Sequence, residues 1–200
     1  MDLYDAARRR RMVRAFTDQP VEPETLMKIL DLGQRAPSAG NTDGRAYVLL
    51  QGAETGTYWD ASLPAGPRRE AFAWPGLVSA PVLAVVLASP SRYVARYAEA
   101  DKGSTGLGDG PDEWSVPYWF VDGGMAVEAI LLGAVAAGLG ACFFGLFDHE
   151  AEVMEALGVP AGWRAVGAVV MGHPAAQDRP GRSAPRPRPP LVDVVHIGGW

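Results

Sequence analysis

Three short stretches of this 200-residue sequence carry side chains suited to gripping an anionic ligand that also bears a ring. The first is Arg10-Arg11-Met12-Val13-Arg14-Ala15-Phe16. Arg10 and Arg14 stand four apart at a helix-to-loop boundary and converge if the turn continues; otherwise the run is a solvated basic face. The second is Pro37-Ser38-Ala39-Gly40-Asn41, a tract of turn formers that is either a ligand-contacting loop or an ordinary helix-to-strand connection. The third is Arg186-Pro187-Arg188. Its prolines hold the chain extended, which sets the two arginine Cα atoms about 6–7 Å apart on one side. Two planar guanidinium forks at that spacing suit a phosphate dianion; the alternative is a solvated basic tail.

The remaining chemistry-bearing residues argue mainly by absence. No Gly-x-Gly-x-x-Gly joins a strand to a helix, and no lysine follows a glycine as a nucleotide-phosphate loop requires. His149, His173 and His196 are scattered, and Cys142 sits in an apolar context, Ala141-Cys142-Phe143-Phe144. No acid pair, triad or metal cluster stands out. Side chains alone therefore supply no reaction, which directs attention to a bound cofactor.

The elements that must position these stretches are mixed α and β. Residues 2–11 read as a short helix, and 22–34 as an amphipathic helix with Leu26, Ile29, Leu30 and Gly33 on one face. Strands are expected at 46–50, 81–88, 141–147 and 163–171, the second a continuous apolar run fit for burial on both faces. Helices are expected at 122–138 and 150–157. The former contains Asp122 and Glu128 and many small residues, and reads as a buried helix rather than a membrane span. Residues 52–75 read as irregular and 101–116 as a mobile loop or lid. Residues 177–200 read as an extended arm, Pro/Arg-rich at first and ending in a strand over 191–200. The length fits one domain over 1–200. A net charge of −5 argues against general nucleic-acid or anionic-membrane binding, and a single cysteine fits a reducing, cytoplasmic setting.

The order and spacing of four elements resemble the FMN-dependent nitroreductase superfamily: the Arg10–Phe16 stretch, Ala36-Pro37-Ser38-Ala39-Gly40-Asn41, Gly138-Leu139-Gly140-Ala141-Cys142-Phe143-Phe144-Gly145, and Arg186-Pro187-Arg188-Pro189-Pro190-Leu191 with Val194-Val195-His196. The resemblance implies an α+β fold, an α-β-α sandwich with a mainly antiparallel central sheet and a long helix at a homodimer interface. It implies two FMN sites between subunits and NAD(P)H as electron donor. Arg10, Arg186 and Arg188 would grip the FMN phosphate, with Arg11 and Met12 lining the phosphoribityl end. Arg14 would stand at the N1–C2=O edge of the ring. Pro37, Ser38, Ala39, Gly40 and Asn41 would come from the partner, and Phe143, Phe144, Gly145 and Leu146 would lie over the ring near N5.

Two positions depart from the pattern. Met12 stands where the family usually has serine. Thr42-Asp43-Gly44-Arg45 replaces x-Gln-Pro-Trp, so Asp43 brings an anion toward the flavin edge unless Arg45 or Arg14 neutralises it. The implied activity is hydride transfer from NAD(P)H through flavin N5 to a nitroaromatic, quinone or enone, by a ping-pong route. Two alternatives remain: a flavin-dependent dehydrogenase of a biosynthetic intermediate, and a degenerate, non-catalytic flavin-binding homologue.

Overall fold

The continuous apolar run Val82-Leu83-Ala84-Val85-Val86-Leu87-Ala88 is buried at every position because it forms an inner strand of the sheet. In the computed structural model, which describes residues 1–200, four strands pair antiparallel throughout: Arg45–Gln51 (β1), Val82–Ala88 (β2), Gly140–Phe144 (β3) and Arg164–Gly172 (β4). Their spatial order is β1-β2-β4-β3. The register sets Val48 opposite Val85, Val85 opposite Ala168, and Cys142 opposite Val170. Alternate residues then face opposite layers.

The helices are Leu3–Arg9 (α1), Pro23–Gln34 (α2), Thr55–Ser62 (α3), Pro67–Glu70 (α4), Pro75–Val78 (α5), Pro90–Tyr97 (α6), Tyr118–Ala136 (α7) and Glu150–Ala156 (α8). Leu83, Val85, Leu87, Val170 and Cys142 pack against Tyr58 and Trp59 of α3, Leu77 of α5 and Val153 of α8. On the other face Val82, Val86, Val169 and Met171 meet Leu26, Ile29 and Leu30 of α2, and Val127, Ile130 and Leu131 of α7. The result is an α-β-α sandwich of the α+β class. Each fully buried Val or Leu contributes about 1.5–3 kcal/mol relative to exposure, so both layers are anchored through β2. Helix α7 is long and apolar enough to cross a membrane by composition alone, and here it packs on α2 and the sheet.

Three parts of the chain differ from the sequence reading. Residues 52–75, expected to be irregular, contain α3, α4 and the start of α5. Pro90 opens α6 instead of merely ending the strand before it, since proline is well suited to the first turn of a helix. Residues 191–200 form no strand: a single 3₁₀ turn covers Leu191–Asp193, and all ten residues are exposed. A strand needs a paired edge, and none within the chain meets this segment. The 101–116 segment contains two 3₁₀ turns, Gly103–Thr105 and Pro111–Glu113. It is fastened at Trp114, buried edge-on against Tyr93 and Tyr97, with its indole N–H donating to the Leu107 carbonyl at 2.9 Å.

Candidate functional site

After α1 the chain turns extended at Arg10 and runs along the outer edge of β3. The Val13 N–H donates to the Ala141 carbonyl at 2.9 Å, and further along Thr17 N–H reaches His173 O and Ala175 N–H reaches Ala15 O. Residues 12–17 are thus held between β3 and the segment that follows β4. Met12, where a hydroxyl was expected, uses its sulfur to accept the Phe143 N–H at 3.4 Å. The methionine brings no hydroxyl to this position and serves as a packing anchor.

Asp178 fastens the start of the C-terminal arm to this strip. Its side chain is only 1% exposed and pairs with the Arg11 guanidinium. It also accepts the backbone N–H groups of Arg14 at 2.7 Å and Ala15 at 2.9 Å. Burial works to raise the Asp178 carboxyl, but the Arg11 hydrogen bond and the two backbone donors outweigh it, so the group titrates below the ordinary carboxylate range.

Above this junction lies a cavity of about 260 Å³ lined by Arg10, Arg11, Met12 and Arg14 on one wall and by Pro180, Gly181, Ser183 and Ala184 on the other. Arg10 has Glu128 as its ion-pair partner at 3.5 Å. Arg186 and Arg188 were expected here and are not. The arm folds back through turns closed by Ala184 N–H to Gly181 O and Arg186 N–H to Ser183 O. The prolines at 185, 187, 189 and 190 then carry it onward, leaving both arginines exposed and outside the cavity.

A second cavity, about 370 Å³, adjoins the first, and Arg14 lines both. Its walls are largely aromatic: Trp59 stacks on Phe144 with centroids 5.8 Å apart and planes 25° apart, and Tyr58, Phe72, Trp74 and Phe147 also line it. Phe143, Phe144, Gly145 and Leu146 all line it. Burial pushes the Tyr58 phenol up to about 12, so it remains a proton donor at neutral pH. Burial also raises the Cys142 thiol, with Arg14 acting the other way, and leaves an inert thiol instead of a nucleophile. Trp59 Nε1 is buried with no hydrogen-bond partner.

Arg14 is fixed at the shared wall. Its Cζ lies 4.9 Å from the Trp74 ring centroid, and a Cβ at Gly181 would come within 3.2 Å of the same atom. The guanidinium also donates to the Met12 carbonyl at 3.1 Å. Held between an indole face, a glycine backbone and a carbonyl, this charge has little freedom to reorient.

The 37–41 loop lines neither cavity. Gly40 and Asn41 both adopt positive φ, +63° and +52°, an arrangement that glycine and asparagine tolerate better than other residues. Ser38 Oγ donates to Thr42 O at 2.9 Å, Thr42 Oγ1 to Ala39 O at 2.6 Å, and Arg96 Nε to Gly40 O at 2.9 Å. Beneath the loop, Arg45 is 8% exposed and donates to the carbonyls of Gln34, Ala36 and Pro37. It thereby satisfies acceptors that the end of α2 would otherwise leave open. Asp122, 1% exposed, accepts the Ala39 N–H at 2.8 Å and the Tyr93 hydroxyl at 2.7 Å. Burial first, and the Asp122 hydrogen bond second, hold the Tyr93 phenol far above its ordinary range. Gly44 makes room for Tyr93, because a Cβ there would meet the ring at 2.3 Å.

Neither Arg45 nor Arg14 neutralises Asp43. Arg92 does, at 3.2 Å to the carboxylate and 2.9 Å to the Asp43 carbonyl, on the surface. Sequence reasoning missed Asp178, Asp122, Tyr93 and Trp74. Two of them carried a visible signal: Asp122 is a carboxylate within an apolar helix, and Asp178 is the one acid at the head of a basic arm.

Known proteins resemble this chain in sequence and in fold. The model described as "Nitroreductase family" matches residues 7–173. A 5,6-dimethylbenzimidazole synthase of Rhodospirillum rubrum is 30% identical over 199 residues, covering 90% of this chain and 88% of that protein. An FMN reductase [NAD(P)H] of Bacillus subtilis is 29% identical over 187 residues, covering 93% and 69%. Among solved structures, a hypothetical oxidoreductase from Bacillus subtilis superposes with a TM-score of 0.74 at 26% identity, over 100% of this chain and 75% of that one.

Proposed function

The chain belongs to the nitroreductase family, and from that membership we propose that it is an FMN-dependent oxidoreductase. In this reading it takes hydride from NAD(P)H and delivers it to a small organic acceptor, a nitroaromatic, quinone or enone, by a ping-pong route. The observation that carries the proposal is the pair of adjoining cavities with Arg14 in their common wall, one cationic and one aromatic. Such a pair suits a mononucleotide with a flat ring system, its phosphate on the basic side and its ring on the apolar side.

The residues present fit FMN. Arg10, Arg11 and Arg14 supply guanidinium donors for the phosphate and for the ring edge, and Met12 contributes surface but no hydrogen bond. Bound flavin would supply the two-electron chemistry, accepting hydride from the donor and passing it to the acceptor. The chain's part is electrostatic and steric. Arg14 offers a fixed positive charge whose reorganisation is already limited by Trp74 and Gly181. Trp59, Phe72 and Phe144 exclude water from the apolar side, and Gly145 leaves backbone accessible beside them.

We assign the working form to a homodimer. The 37–41 loop is built to a fixed shape yet stands apart from both cavities, which is what a segment lent to a second subunit would require. The outer face of α7 exposes Tyr118, Val121 and Met125, and the arm exposes Leu191, Val192, Val195, Ile197 and Trp200. Apolar surface of that extent fits a partner subunit.

The test is anaerobic mixing of the FMN-loaded protein with NADPH or NADH while the visible flavin band is followed. Bleaching by a nicotinamide, then recovery on adding a quinone or nitroaromatic, supports the proposal. The similarity to a synthase supports a second reading, in which the same site oxidises a biosynthetic intermediate. Bound flavin that neither nicotinamide bleaches would favour that reading, and failure to bind FMN would overturn both.

A further inference from the structure

Phe147 is the least explained residue near the cavities. It lies just past Gly145, where β3 gives way to α8, and the residue is 84% exposed. Its φ of +50° falls in the left-handed region, shared among non-glycine residues only with Asn41. Asparagine adopts that conformation readily, whereas for a bulky aromatic residue it is strained. Strain of this kind persists only where surrounding structure imposes it, and it concentrates at functional positions.

The ring is placed as well as exposed. A Cβ built on Gly145 would meet three carbons of the Phe147 ring at 3.5–3.7 Å, so the ring lies across that glycine at van der Waals distance. Phe147 lines the aromatic cavity and also a shallower depression shared with Met154 and Trp163, and so forms the partition between them. It stacks on no other aromatic residue of the chain and belongs to neither core cluster flanking the sheet. An exposed, strained and unstacked ring adds little to the stability of the fold.

We propose that Phe147 is a specificity-determining residue: its ring forms the stacking wall for flat, conjugated acceptors at the mouth of the aromatic cavity, and its left-handed backbone holds the ring there. The inference rests on the reading that flavin occupies the junction marked by Arg14. A planar acceptor offers a π face to Phe147, whereas a compact inorganic oxidant offers none. Discrimination between acceptors then resides in this side chain, and flavin retention resides in the arginine strip.

The experiment compares Phe147→Gly and Phe147→Tyr with the parent protein. In the glycine variant, KM for a quinone or nitroaromatic rises about tenfold, the size of one lost aromatic contact. FMN is still bound, the KM for ferricyanide shifts far less than that for the quinone, and the tyrosine variant keeps the parental KM. Independently of turnover, the flavin-free glycine variant holds or raises its Tm, because glycine relieves the backbone strain. An unchanged quinone KM with flavin bound overturns this inference alone. A Tm lowered by several degrees, or dissociation to monomers, makes Phe147 a packing or interface residue and overturns it as well. A parent protein that takes up no FMN overturns the functional reading and this inference together.

Discussion

The arginine strip with its two cavities and the 37–41 loop with its support use polar groups in opposite ways. In the loop region every buried charge is spent internally: Arg45 on three carbonyls of the α2–loop junction, and Asp122 on the Ala39 amide and the Tyr93 hydroxyl. In the strip, Arg11 is held by Asp178, but Arg10 and Arg14 keep donor capacity facing open space. One region is built to hold a shape, and the other has the open donors that the proposed ligand site calls for. Sites of this kind separate the two tasks because a satisfied buried network is rigid, while a binding group must have bonds left to give.

Substitutions sharpen or break that contrast. The largest effect is expected from Arg45→Met, which strands buried carbonyls and costs about 3 kcal/mol of folding stability in a urea titration. A loss below 1 kcal/mol would mean that the loop does not depend on the guanidinium. Asp178→Asn comes next, at about 2 kcal/mol, with faster proteolysis of the arm beyond residue 178. The same carboxylate sets a pH dependence. Held below its ordinary value when folded, it contributes stability above that value and loses the contribution as pH falls through the folded value. Attachment of the arm should therefore be intact at neutral pH and weaken only below about pH 4, and the Asn variant should lack that transition.

On the binding side, Arg10→Ala should weaken FMN about tenfold, one charge-assisted hydrogen bond, with stability changed by less than about 0.5 kcal/mol. The Arg186→Ala, Arg188→Ala double variant should weaken FMN less than Arg10→Ala does, since both residues stand outside the cavity. The reverse order would mean that the arm closes over the ligand. Smallest of all, Asp43→Gln should alter neither stability nor FMN affinity by more than about 0.5 kcal/mol, because its exposed pair with Arg92 is screened by solvent. A large gain in affinity would instead place that carboxylate at the flavin.

Much of this architecture is written in local pattern. The β2 run, the apolar face of α2 and the small-residue helix α7 follow from periodicity. The strip and the loop are singled out by residue type, and the Phe143–Leu146 segment by the family resemblance alone. Helices α3 to α5 were hidden because glycine and proline punctuate residues 52–75 so densely that no apolar period survives. The roles of Arg45, Asp122 and Asp178 were hidden for another reason: each depends on a partner supplied by the fold, as in the bonds from Asp178 back to Arg11, Arg14 and Ala15. Where the arm leads beyond Ala184 is not written in the sequence, because a pleat assigns two arginines to one side without saying what that side faces.

The central claim is that the cavity formed by Arg10, Arg11 and Arg14 receives the phosphate of a flavin mononucleotide. Parallel equilibrium titrations of the flavin-free protein with FMN and with riboflavin, which lacks only the phosphate, test it most directly. Two or more charge-assisted hydrogen bonds predict that FMN binds at least about 100-fold more tightly, with the difference shrinking as salt is raised. Equal affinities for the two flavins would contradict the account.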